Sequence, residues 1–251
     1  MISIIKWEMK KSMRVVVIIL WLIGLVSAYN AVGVSTVVND MYSGVFEKHY
    51  HLVPHMLFII FIMFSGGFII EYNSNMKGLI KSSKAGAKQF VLAKFIANGI
   101  CASAINLSML AAMVLKTILS FGFKGLDLPV KDLGLFINTT SSNITVLQML
   151  LILSITLILG SFLFAAMGLY LSSINKNAAI PFIVGAILAG LPFVEVLPDI
   201  IRINLPLYGM YSQQILMYDE PISALIVFIV TVLVGGPLLY KLTKKTFLKE
   251  A

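Results

Sequence analysis

The chain has 251 residues, of which 59% are hydrophobic and 12% are charged, and its net charge is +8. Soluble domains have about 45–50% apolar and about 25% charged residues, so this composition excludes an ordinary soluble fold. The single cysteine, Cys101, excludes an internal disulfide and a cysteine-based zinc cluster. The apolar runs do not alternate as barrel strands do, and they approach the roughly 20 residues that a spanning helix needs. We therefore predict an all-α, polytopic membrane protein.

The first segment, residues 1–14, is basic and amphipathic. On a helix with about 100° per residue, its apolar and basic side chains fall on separate faces. The apolar face holds Ile2, Ile5, Met9 and Met13, and the basic face holds Lys6, Lys10 and Arg14. This pattern favours an interfacial elbow helix before the first span, and a positive flank that anchors the topology is an equally open interpretation.

Six apolar runs follow, and each is predicted to cross the membrane as a helix. Their approximate bounds are residues 15–37, 52–70, 89–115, 144–171, 178–194 and 221–240. The third run is longer than a bilayer requires, so we expect it to tilt or to project from the membrane. Residues 1–251 are interpreted as one transmembrane domain without an attached soluble domain.

Lysine and arginine residues are distributed unevenly between the two sides of this arrangement. Fourteen of the 19 lie in or near the N-terminal segment, the loop after the second run, the turn after the fourth, and the C-terminal tail. By the positive-inside rule that side is cytoplasmic, so both termini are predicted to be cytoplasmic. Topology thus explains the basic charge, and no nucleic-acid partner is predicted. The expected location is a Gram-positive bacterial plasma membrane.

The sequence carries no signature of catalytic or driving-force chemistry. The phosphate-binding loop of ATPases, the HExxH zinc motif and the GxSxG nucleophile elbow do not occur. The apolar runs contain almost none of the acidic residues that proton-coupled transporters place at mid-membrane. We therefore predict that the chain is not an enzyme, holds no cofactor and takes its energy from a partner.

Three histidines, His49, His51 and His55, follow an HxHxxxH pattern. Imidazoles at this spacing are able to bind copper or zinc. No cysteine or methionine ligand set accompanies them, so chance placement near the start of a span is favoured, and no metal site is predicted.

The most informative segment is the loop of residues 72–88 after the second run. Glu71 leaves the run, a short helical stretch follows, and Lys94 stands at the base of the third run. This order resembles the ABC-2 family of ABC-transporter permeases, in which a glutamate precedes a glycine, two aliphatic residues, a Ser-Pro-like helix start and a lysine. The matching residues are Glu71, Gly78, Leu79, Ile80, Ser83 and Lys94, and Lys84 stands where a proline is usual. An ordinary lysine-rich flank is the alternative interpretation.

The resemblance implies that this loop is a coupling helix that docks on a separate ATP-binding cassette subunit. Two copies of that subunit, carrying ATP and Mg²⁺, and a second permease subunit in a homo- or heterodimer would complete an exporter like those of type V. The expected coupling contacts are Glu71, Met76, Lys77, Gly78, Leu79, Ile80, Lys81 and Ser83. A candidate second contact is formed by Ser173, Asn175 and Lys176, and a simple tight turn is the alternative there.

Residues 195–220, between the last two runs, are apolar but broken by prolines. This segment resembles the re-entrant outer helices of ABC-2 permeases, and an interfacial helix anchored by tyrosines is the alternative. The expected outer gate consists of Leu207, Tyr208, Tyr211 and Ile215.

Together these features predict the membrane-spanning subunit of an ATP-driven exporter. Sparse charge in the spans favours an amphipathic or hydrophobic cargo, either a peptide or a lipid-like drug. The compact length resembles Gram-positive permeases that export peptides such as phenol-soluble modulins or give resistance to antimicrobial peptides. A non-transporting membrane scaffold or immunity protein is the alternative. A membrane-embedded enzyme is a third hypothesis, but no polar catalytic cluster is visible.

Overall fold

The regular structure of the protein is helical. The computed structural model describes residues 1–74, 76–82, 86–137, 143–175, 177–191, 198, 201, 204–217 and 223–248. Within these ranges the only strand-like pairing is an isolated bridge between Pro129 and Thr145. The predicted all-α class is therefore confirmed for the described part of the chain.

The helices of the described residues are numbered in chain order. They are α1 (Ile2–Ser12), α2 (Val15–Ala31), α3 (Val38–His51), α4 (Val53–Ser65), α5 (Ile69–Asn73), α6 (Met76–Ser82), α7 (Gly86–Phe121), α8 (Val146–Ile174), α9 (Ala179–Gly190), α10 (Pro206–Met210), α11 (Gln213–Met217) and α12 (Ser223–Leu248). Two short 3₁₀ turns, Val130–Asp132 and Gly134–Phe136, lie between α7 and α8.

Four helical segments in the described ranges are long and apolar enough to cross a membrane. They are Val53–Asn73, which joins α4 and α5, together with α7, α8 and α12. The pair α1 and α2, bent by 73° at its junction, makes a fifth if it counts as one span. These four or five helices are those of a polytopic membrane protein. The predicted count of six stays a prediction, because α9 has 12 residues and residues 192–197 lie outside the described ranges.

Helix α7 is the central helix of the molecule, and α1, α2, α3, α8 and α12 all pack along it. Its 36 residues make it about 54 Å long, well beyond the roughly 30 Å of a hydrocarbon core. We call its Gly86 end, where α1 and α6 lie, the basal end, and its Phe121 end, where α3 lies, the distal end. The expectation that the third apolar run is overlong is met, and the helix is longer than the run.

Helix α3 was not predicted, because the residues between the apolar runs 15–37 and 52–70 form a largely polar stretch. The structure contains a helix here that leads directly into α4. Its buried side chains recur at helical spacing and face α7 and the 3₁₀ turn Gly134–Phe136. They are Met41, Tyr42, Val45, Phe46 and His49. Charged residues on the opposite face concealed this amphipathic pattern.

Small residues let α4 and α8 approach closely. A Cβ atom added at Gly168 would lie 2.6 Å from the Cβ of Phe64, and one added at Gly67 would lie 2.9 Å from a methyl group of Leu169. Close approach through small residues is how membrane helices gain packing energy.

The crowding at Gly168 and the open space at Gly78 predict different effects for two glycine-to-alanine substitutions. Gly168→Ala should lower the free energy of unfolding by about 1–3 kcal/mol, because the Cβ of Phe64 has no freedom to move aside. Gly78→Ala, on α6 with nothing within 4 Å, should be neutral or stabilising by up to about 1 kcal/mol, since alanine favours the helix. Equilibrium unfolding in mixed micelles measures both, and equal effects would contradict the close contact.

Candidate functional site at the basal end

Four charged side chains form a buried cluster at the basal end. Glu8 and Lys11 come from α1, Glu71 from α5 and Lys94 from α7. The Nζ of Lys94 lies 2.6 Å from Oε2 of Glu8 and 3.1 Å from Oε1 of Glu71, and Lys11 also donates to Glu71. The side chains of Lys94, Glu8 and Glu71 are only 1–2% exposed, and that of Lys11 is 13% exposed. We call these four residues the charge cluster.

The charge cluster is electrically balanced and centred on Lys94. A third hydrogen bond runs from Lys94 Nζ to the carbonyl oxygen of Gly67 at 2.6 Å, so all three donors of the ammonium group are used. The rings of Phe68 and Phe90 lie 5.2 Å and 5.1 Å from the same nitrogen, within the range of cation–π attraction. Two carboxylates facing two ammonium groups leave no net charge to be buried, which lowers the desolvation cost of the site.

A second polar contact between α1 and α7 lies next to the charge cluster. The hydroxyl of Ser12 donates to Oδ1 of Asn98 at 2.7 Å, and Nδ2 of Asn98 donates to the carbonyl oxygen of Lys94 at 2.9 Å. Since Glu8 and Ser12 are one helical turn apart, both interactions lie on one face of α1. The buried side chains of α1, Glu8 and Ser12, are therefore polar, and Ile4 and Met9 of the same helix and Met13 just after it pack partly buried against apolar clusters.

An aromatic cluster joins the same region to α8 and α12. The ring of Phe247 lies 5.0 Å from that of Phe68 and 6.0 Å from that of Phe90. The backbone N–H of Phe68 donates to Oγ of Ser172 at 3.0 Å, and the hydroxyl of Tyr72 donates to the carbonyl oxygen of Ser173 at 2.7 Å. Helix α5 is thus bonded to α1 and α7 on one side and to α8 and α12 on the other.

Helix α6 lies outside the charge cluster and presents apolar side chains. Leu79 is 70% exposed, whereas Ile80 packs inward against the aromatic cluster. Met76, Leu79 and Ile80 line an open groove of about 430 Å³, which Ser3, Ile4, Trp7 and Phe90 complete. Leu79 and Ile80 were both expected to contact a partner. Leu79 is exposed on the surface, whereas Ile80 is partly buried against other residues of the chain.

The remaining expected contact residues are placed unevenly. Lys77, Gly78 and Lys81 lie within α6, and Ser83 and Lys176 lie outside the described residues. Ser173 is buried, and its hydroxyl donates to the carbonyl oxygen of Tyr170 at 2.7 Å. Asn175 is half-buried at the end of α8. At the candidate second contact, Asn175 is therefore partly accessible to a partner, whereas Ser173 is not.

The candidate outer gate lies at the distal side of α8. Tyr208, Tyr211 and Ile215 are buried, and Leu207 lies within α10. The oxygens of Thr156 and Ser212 are 3.2 Å apart, which ties the connection between α10 and α11 to α8. Of the expected segment 195–220, the described residues are 198, 201 and 204–217.

The three histidines do not converge. His49 is buried against Tyr211, and His51 is 64% exposed, 3.9 Å from Glu47. His55 is hydrogen-bonded to the carbonyl oxygen of Leu20 on α2 at 3.2 Å. Among the residues that the structure describes, no group of three or more histidine, cysteine or acidic residues is placed to hold a metal ion.

No family model matches this sequence, and no curated protein matches it significantly. The resemblance to ABC-2 permeases therefore depends on the residues and helices described above.

Sequence reasoning found two members of the charge cluster, Glu71 and Lys94, and missed the other two. Glu8 is the only acidic residue among the first 39, in an otherwise basic segment. A lone carboxylate on a basic helix was the available signal, but its partner, Lys94, lies 86 residues away. Local patterns do not predict such a pair.

Proposed function

We propose that this chain is the membrane-spanning subunit of an ATP-driven exporter of the ABC-2 type, with the basal end in the cytoplasm. The observation that carries the proposal is the short helix α6 at that end. It presents the exposed side chain of Leu79 beside an apolar groove. Exposed apolar patches of this kind are typical of protein-binding surfaces.

The position of α6 supports a role in transmitting force. It lies between α5 and α7 in the chain, and so connects the basal ends of two helical segments that are long and apolar enough to cross a membrane. The charge cluster joins those same two helices to α1. A partner subunit that moves α6 would therefore move α1, α5 and α7 together, as a coupling helix must.

The middle of the molecule supports an apolar or amphipathic cargo. A cleft of about 240 Å³ opens between α8 and α12, and Thr231 is the one polar residue among the described residues that line it. The Thr231 hydroxyl donates to the carbonyl oxygen of Val227 at 2.8 Å, which leaves an apolar wall. The lining residues are Leu163, Phe164, Met167, Leu191, Leu205, Pro206, Thr231, Gly235 and Leu239. A hydrophobic face of a peptide matches this chemistry better than a hydrophilic ion does.

Affinity purification of the full chain from its native membrane tests the proposal. We expect an ATP-binding cassette protein to be recovered with it, in a ratio of one to one. Vesicles containing both proteins should move an amphipathic α-helical peptide only when ATP is supplied. Recovery of the complex without peptide movement would favour a non-transporting scaffold, and absence of any ATP-binding cassette protein would refute the proposal.

A further inference from the structure

The distal end contains fully buried polar side chains that have no hydrogen-bond partner among the described residues. His49, Tyr211, Gln213 and Gln214 each have 0% exposure. Within the described residues, neither ring nitrogen of His49, nor the Tyr211 hydroxyl, nor either side-chain amide has a hydrogen-bond partner. Buried polar groups are normally paired, so this region is held closed at a cost.

His49 is at the contact between α3 and the candidate gate. Its ring lies 5.6 Å from that of Tyr211, with the two planes at 49°. Tyr211 stands between α10 and α11, the two short helices of the gate. The His49–Tyr211 contact therefore joins the C-terminal end of α3, which leads into the Val53–Asn73 span, to the segment 204–217.

No charged group among the described residues stabilises a proton on His49. Several titratable residues lie on the helices and turns packed against α3. They are Tyr29 on α2, His55 on α4, Lys116 on α7, and Lys131 and Asp132 just before the 3₁₀ turn Gly134–Phe136. His55 and Lys116 bind backbone carbonyl oxygens of Leu20 and Val32, and Asp132 is exposed. On α3 itself, Glu47 pairs with Lys48 and His51, and Asp40 accepts from Ser35. Burial alone lowers the pKa of His49 to about 3.

We propose that the His49–Tyr211 contact is an acid-sensitive closure of the distal gate, which opens when His49 is protonated. Among the described residues a charged imidazole has no counterion in the closed arrangement, so it must reach water, and reaching water separates α3 from the segment 204–217. Calling this segment an exit gate rests on the proposed function. The protonation-driven opening itself requires neither an ATPase nor a cargo.

The sign and size of the effect follow from linkage. The closed state has the lower pKa, so closure is fully favoured above the pKa of a solvated imidazole, about 6.5, and is lost as the pH falls. The ratio of open to closed molecules rises up to tenfold per pH unit below that value. Between about pH 7.5 and pH 4.5 the ratio should increase about 100-fold.

Acrylamide quenching of a single tryptophan measures this opening. In the full chain in lipid nanodiscs, Trp7 and Trp21 are replaced by phenylalanine, and Tyr208→Trp places a buried reporter in the gate. We expect weak quenching at pH 7.5 and stronger quenching at pH 4.5, following the rise in the open-to-closed ratio. Ile215→Trp is the second reporter if the first protein does not fold.

Two histidine variants separate the proposal from a general effect of acid. His49→Phe should abolish the pH dependence, because the ring contact persists without a titratable group. His51→Phe, which alters an exposed histidine two residues away, should retain it. A flat profile in the parent protein, or a pH-dependent profile in His49→Phe, would overturn the proposal. Both outcomes are independent of whether an ATP-binding cassette protein associates with the chain.

Discussion

Lys94→Met should lower the free energy of unfolding by about 3–5 kcal/mol, the usual effect of removing one partner from a buried ion pair. Lys94 is 1% exposed and contacts both Glu8 and Glu71, so its loss leaves two buried carboxylates facing the single charge of Lys11. Unfolding in mixed micelles measures the change. Trp7, whose ring lies 5.2 Å from the Nζ of Lys11, supplies a fluorescence signal beside the cluster.

A matched control and a double variant make this prediction specific. Lys88→Met removes the same charge from an exposed site on the same helix and should change the free energy of unfolding by less than about 0.5 kcal/mol. Glu8→Gln combined with Lys94→Met restores charge balance and should recover part of the lost stability. If the double variant is as unstable as the sum of the two single variants, the charges are not coupled and the cluster has been misinterpreted.

Leu79→Asp should abolish recovery of the proposed ATP-binding cassette partner with this chain. Leu79 is 70% exposed beside the basal groove, so an aspartate is tolerated in the free protein. In a complex it would place an unpaired carboxylate in an apolar contact, where losing a central residue costs about 2 kcal/mol or more. That cost corresponds to an affinity at least about 30-fold weaker, measurable as loss of the complex during purification.

Phe123→Asp is the control for the Leu79 prediction. Phe123 is a larger apolar residue, 75% exposed at the distal end, where no ATP-binding partner is proposed. The complex should survive this substitution, and both variants should keep the unfolding midpoint of the parent. A complex that withstands Leu79→Asp would mean that α6 is an ordinary lysine-rich flank, as a scaffold protein would have.

Long apolar helices were the most predictable part of the fold. The runs at 89–115, 144–171 and 221–240 correspond to α7 (Gly86–Phe121), α8 (Val146–Ile174) and α12 (Ser223–Leu248). Such helices need no periodic signal, because their long and mostly apolar composition is itself the signal. Their ends were predicted less well, since the polar first turns of α7 project beyond the apolar run.

Interactions between distant segments were the least predictable part. Glu8 meets Lys94, and His49 meets Tyr211, only because α7 and α3 bring separate stretches together. In the sequence, Glu71 and Lys94 are isolated charges near span ends. The motif resemblance groups these two residues, but it does not predict that Glu8 on α1 pairs with Lys94 on α7. Side chains that pair across 86 residues leave no periodic trace in either segment.

The unbroken length of α7 has a mechanical consequence. A rod of about 54 Å that rotates by about 5° around its midpoint displaces its two tips by about 2 Å in opposite directions. Lys94 lies near one tip, and Lys116, bonded to the carbonyl oxygen of Val32, lies near the other. A thrust applied beside α6 would thus arrive with reversed direction where α2 ends, and the two ends of the helix bundle would move in opposite directions.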